Sequence, residues 1–140
     1  MSQSLQRQIL QRARDIIADH KRWTQLTLAQ DKKTAMCDPC DKHAVSFCSL
    51  GAIQRAASEY GLKGDAHPLI IATEHKLAEA IEPHWLSEYR ASDANKNLDI
   101  QDVKETFEDM AAQDVVIDFN DTNCHIDVVA AFDLALEKVT

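Results

Sequence analysis

Glycine and proline number three each in 140 residues, well below ordinary usage of roughly 7% and 5%. So few turn-formers exclude a barrel or sandwich of many short strands and favour a few long helices. Positive charge is also scarce, with 15 basic against 23 acidic residues and a net charge of −8. This excludes sequence-independent nucleic-acid binding, which needs cations to displace counterions from phosphates, and it excludes adhesion to an anionic membrane face. Mimicry of nucleic acid is the acidic alternative, but the acids are spread through every expected helix, as solubility alone requires. No apolar run approaches the roughly 20 residues of a membrane span, and residues 1–20 are too polar for an export signal. A cytoplasmic location is expected. In that reducing compartment the four cysteines are expected as thiols or metal ligands, not as structural disulfides.

What remains is a 45% hydrophobic chain, enough for a core and of a length suited to one domain. The expectation is a single mostly α, compact helical domain over residues 1–140, with five to six helices. Leu5, Ile9, Leu10, Ala13, Ile16 and Ile17 recur at helical spacing and predict a helix over residues 3–20. A second helix, apolar nearly all round and therefore central, is expected from Ala44 to a stop at Gly61, with Asp41 as its N-cap. Asp65 is placed as the cap of a third helix ending at Pro83, and Pro83 as the start of a fourth carrying Trp85, Leu86 and Tyr89. Asp99 caps the next, lined by Ile100, Val103, Phe107 and Met110. Thr122 or Asn123 caps the last. Residues 115–119 form a β-favouring run, and pairing with residues 26–29 gives at most a two-stranded element.

Three cysteines and a histidine crowd residues 37–48. Cys37, Cys40, His43 and Cys48 offer zinc a complete set of four ligands. The spacing departs from a zinc knuckle, which places four residues between the second Cys and the His and uses glycines to wrap the ion. A site of Cys37, Cys40 and His43 with Cys124 or His125 is sterically easier. Zinc is the one cofactor the composition leaves open, and none is expected. Cys37-Asp-Pro-Cys40 also imitates a thioredoxin-type dithiol, without the strand and βαβ frame that such a couple needs. A third chemistry is a nucleophilic Cys48 with His125 and Asn120 or Asp121 downstream, the chain order of papain-like hydrolases. Its apolar neighbours Phe47, Leu50 and Ile53 favour an inert buried thiol.

Asp93, Asn95, Asn97, Asp99 and Ile100 imitate the start of a calcium loop. Leu98 stands where glycine is needed and Lys104 where the bidentate acid is needed, so a polar turn is the better reading. Asn120, Asp121, Thr122 and Asn123 offer more capping capacity than one helix start can use, which suggests bracing of a neighbouring loop ahead of catalysis. Trp23 is the candidate binding residue, as an anchor in an irregular segment.

Arg22-Trp23-Thr24, the run from Ala44 to Ala52 including Phe47, Cys48 and Gly51, and Phe119-Asn120-Asp121 followed by His125 and Val128 together resemble an uncharacterised family of small bacterial and phage proteins, a domain of unknown function. The resemblance implies a shared fold and no activity. It also implies that Cys48, Gly51 and Ala52 belong to the family pattern, whereas Cys37 and Cys40 fall in a variable loop. The functional expectation is a non-enzymatic accessory or interaction module that binds a protein partner through an exposed helical face or the Trp23 loop. A Cys48/His125 thiol-dependent hydrolase and a zinc-binding module built on Cys37 and Cys40 are the alternatives.

Overall fold

The computed structural model describes residues 3–64, 66–91 and 96–139. Helix α1, Leu5–Ala18, starts at Ser4, whose side chain accepts from the Arg7 amide. It buries Ile9, Leu10, Ala13, Ile16 and Ile17 as their spacing predicts, whereas Leu5, expected on the same stripe, is exposed in the first turn. A 3₁₀ turn, His20–Arg22, leads into two short strands, β1 (Ala29–Gln30) and β2 (Ser46–Phe47). Helices α2 (Ser49–Glu59), α3 (Pro68–Ala91), α4 (Ile100–Glu108), α5 (Ala112–Thr122) and α6 (His125–Glu137) complete the order. The described residues form a mostly helical domain of six α-helices with a two-stranded antiparallel sheet. Buried residues of α1, α2, α3, α5 and α6 form a continuous apolar cluster. Each aliphatic side chain removed from water there contributes about 1.5–3 kcal/mol. No helix among the described residues is long and apolar enough to cross a membrane.

The sheet differs from the expected one. Ala29 pairs with Phe47 and Gln30 with Ser46, while residues 115–119 lie inside α5. Val115, Val116, Phe119 and Asn120 are buried at helical spacing. A short β-branched run does not by itself separate a strand from a buried helix, and packing against neighbouring helices decides. The real partners are joined by the long segment 31–45, which opens with a local turn in which Asp31 accepts from the amides of Lys33 and Ala35.

Helix α2 also starts later than expected. Its N-cap is Cys48, not Asp41. Asp41 caps a local turn by accepting from the His43 amide at 2.7 Å. Strand β2 intervenes because the Cys48 amide donates to Leu28 and the Phe47 carbonyl accepts from Thr24. At its other end α2 stops where predicted. Gly61, at φ +85°, donates to Ser58, and Leu62 donates to Ala57, the paired bonds of a Schellman stop.

Pro83 lies inside α3 rather than between two helices. Proline removes one backbone hydrogen bond and costs about 3 kcal/mol in a helix interior. Packing on both sides of it offsets that cost: Leu77, Ala78 and Ile81 before it are buried, and Trp85 after it packs on Phe107 at 5.2 Å between ring centroids. Asp99 caps α4 through the Gln101 amide. Helix α6 is capped by neither Thr122 nor Asn123; Cys124 is its N-cap residue, without a side-chain capping bond. Thr122 and Asn123 bond back to the carbonyls of Asp118 and Phe119 in α5. The Asp65 cap and the Asp93 and Asn95 positions of the calcium-like loop lie outside the described residues. The Arg7 guanidinium bonds the carbonyls of Leu136 and Val139, tying the start of α1 to the end of α6.

Candidate functional site

The end of α5 and the segment before β1 are joined residue by residue. Asn120 is fully buried. Its Oδ1 accepts from Trp23 Nε1 at 2.9 Å, the Ser49 amide at 3.0 Å and the Ser49 hydroxyl at 2.8 Å. Its Nδ2 donates to the Thr24 carbonyl at 3.0 Å and to Asp121 Oδ1 at 3.1 Å. The oxygen meets only donors and the nitrogen only acceptors, which fixes the orientation of the amide. Gln25 Nε2 donates to the carbonyls of Asn120 and Asn123, and the Leu26 amide donates to Asp121. Four consecutive residues, Trp23 to Leu26, are thus clasped by the polar end of α5. Because Ser49 opens α2, the same amide also anchors that helix start.

Cys48 lies beside this clasp. Its Sγ accepts from the Gly51 amide at 3.4 Å, and the residue is 4% exposed. A helix N-terminus lowers a thiol's pKa, but here burial raises it, with Asp121 adding to the rise against the amides of Gly51 and Leu50. Gly51 packs so closely on the Leu28 carbonyl that a side chain at position 51 would collide with it.

His125 is placed elsewhere. Its Nε2 lies 2.6 Å from the Ile17 carbonyl, and a carbonyl only accepts, so Nε2 carries the proton. The ring packs on His20 at 5.1 Å and on Trp23 at 5.5 Å. Among the described residues no hydrogen bond joins Cys48 to His125. Asn120 and Asp121 act on the loop, not on His125.

Cys37 is partly exposed and Cys40 exposed. Partial desolvation and the nearby carboxylates of Asp41, Asp31 and Asp38 raise the Cys37 thiol. Arg55 holds their loop to α2 through the carbonyls of Pro39 and Asp41. Among the described residues no group of three or more His, Cys, Asp or Glu side chains is placed to hold a metal ion. Cys37, Cys40 and His43 are therefore not assembled into one site, and Cys124 faces Asp127 instead.

A cavity of about 140 Å³ opens next to the clasp, lined by Leu26, Thr27, Leu28, Cys48, Ile117 and Asp121. Its lining is mostly apolar, which suits an aliphatic group better than a polar substrate. Leu26 stands at its edge 82% exposed with φ +70°. Leucine rarely adopts that left-handed conformation, and the Asp121 carboxylate holds the Leu26 amide in place. Leu26 and Ile117 escape a sequence reading because no spacing marks them.

A family of unknown function, DUF6197, matches residues 1–138. The chain belongs to DUF6197. The match covers the clasp, the Cys48 helix start and the cavity together. No curated protein and no solved structure matches this DUF6197 chain.

Proposed function

We propose that the chain is a non-enzymatic interaction module that docks a partner protein on the surface formed by residues 26–28 and the outer side of α5. The observation that carries this reading is Leu26. A large aliphatic side chain is held out in water at a left-handed φ, and a carboxylate bond maintains it there. Backbone strain of this sort costs about 1–3 kcal/mol and concentrates at functional positions. Leu28 and Ile117 extend the apolar surface, at 36% and 40% exposure.

The hydrolase alternative has one favourable observation, the cavity that reaches Cys48. Against it, the thiol is shifted away from the reactive thiolate by burial, and His125 spends its Nε2 proton on Ile17. A base must reach the proton it takes.

Photo-crosslinking in the native cell tests the interaction reading. A benzophenone side chain at position 26 is expected to capture a discrete partner that the same group at position 126, also exposed on α6, does not. Equal capture from both positions removes the assigned surface. No adduct from either removes the interaction reading.

A further inference from the structure

We propose that the partner segment recognised at this surface is cationic: an aliphatic side chain that enters the cavity, flanked by lysine or arginine. This rests on the interaction reading above and adds the chemistry of the occupant. The cavity supplies the first half. Leu26, Leu28, Cys48 and Ile117, with Thr27 and Asp121, line an open cavity of about 140 Å³, room for one branched aliphatic side chain and too little for a folded element.

Charge supplies the second half. Asp114, Asp118 and Asp121 share with Ile117 one side of α5, since positions three, four and seven apart fall on the same face. Asp114, Asp118 and Ile117 are exposed and Asp121 half-buried. Neither α5 nor residues 23–30 contain a lysine or arginine, so nothing on these two segments neutralises the three carboxylates. An aliphatic anchor with one carboxylate in its lining and two more on the same side of α5 discriminates by charge: a cationic segment gains attraction on approach, and an acidic one pays repulsion. The same argument disfavours the other occupants. A second copy brings three aspartates against three in a chain of net charge −8, and an anionic lipid surface is repelled.

The test uses the full chain and two labelled probe peptides, one alternating leucine with lysine and the other, of equal length, alternating leucine with glutamate. Fluorescence anisotropy is expected to show saturable binding of the lysine peptide, weakened by added salt, and none of the glutamate peptide. Amide NMR shifts are expected to centre on Leu26, Thr27, Leu28, Ile117 and Asp121. Leu26→Asp and Asp118→Lys, both at exposed positions, are each expected to weaken binding about tenfold, as loss of a principal contact does. Equal binding of both peptides, shifts centred on another surface, or concentration-dependent self-association that excludes the lysine peptide overturns the proposal. If crosslinking at position 26 captures a partner and the lysine peptide still does not bind, the cationic assignment fails and the interaction reading stands.

Discussion

A Cβ built on Gly51 would lie 1.9 Å from the carbonyl oxygen of Leu28 and 2.9 Å from its carbonyl carbon. Both are backbone atoms, and the Leu28 oxygen is also the acceptor of the Cys48 amide at 3.1 Å. The start of α2 can approach the Leu26–Leu28 turn only because residue 51 has no side chain. Gly51→Ala is therefore expected to destabilise the fold by about 2–3 kcal/mol through overpacking, despite alanine's better helix propensity of about 1 kcal/mol. The urea midpoint measures it; an unchanged or higher midpoint would show that the turn moves freely away from α2.

Asn120 is the second tie between the same elements, and its removal acts through groups left behind. Asn120→Ala strands the buried Ser49 amide and hydroxyl and the half-buried Trp23 indole N–H. An unsatisfied buried group costs about 1–3 kcal/mol, so a loss of about 3 kcal/mol is expected. Ser49→Ala, which removes one of these donors and leaves the amide bonded, is expected to cost about 1 kcal/mol. Urea unfolding of both variants checks the order, and equal losses would contradict a role centred on Asn120.

How far this arrangement can be read in the sequence depends on what each residue does locally. Helix α1, the Gly61 stop and the Asp99 cap are visible because amphipathic spacing, a left-handed glycine and a capping aspartate act within one element. Asn120 and Asp121 are visible as part of a surplus of polar capacity, though not their targets Trp23, Thr24 and Leu26, which lie 97, 96 and 95 positions away. Cys48 as an N-cap is hidden because cysteine is not among the preferred capping residues. The continuation of α3 through Pro83 and the helical state of residues 115–119 are hidden for a different reason: tertiary packing overrides local preference. Leu26 leaves no trace, since its conformation is imposed by Asp121 from another element.

Burial holds the Cys48 thiol above its ordinary value of 9.0, which gives a signed pH dependence. The folded state keeps the proton while the unfolded state releases it, so the unfolded state binds fewer protons in that window. Stability is unaffected below about pH 8 and falls as pH rises past the unfolded thiol's value. Cys48→Ala removes this fall and costs a pH-independent increment of about 1 kcal/mol for the lost cap. Urea midpoints from pH 7 to 10 for both chains measure the difference in slope, because Cys37 and the tyrosines contribute equally to each. Parallel slopes would mean that the Cys48 thiol ionises alike in both states. In the folded chain, iodoacetamide is expected to label exposed Cys40 and Cys124 well before Cys48.

Leu26 separates stability from recognition. Glycine accepts φ +70° without the Cβ clash that leucine bears, a relief of about 1 kcal/mol, partly offset by the greater freedom of glycine in the unfolded chain. The leucine side chain is 82% exposed, so its removal sacrifices little buried apolar area. Leu26→Gly is thus expected to leave the urea midpoint unchanged or slightly higher, while capture through a benzophenone at position 117 drops sharply because the adjacent anchor is gone. Leu26→Ala keeps the strained backbone and loses the anchor; it is expected to match the glycine variant in capture without gaining stability. A clear destabilisation by glycine would instead mean that Leu26 is retained for the fold, and that the strained turn is a packing device and not a recognition element.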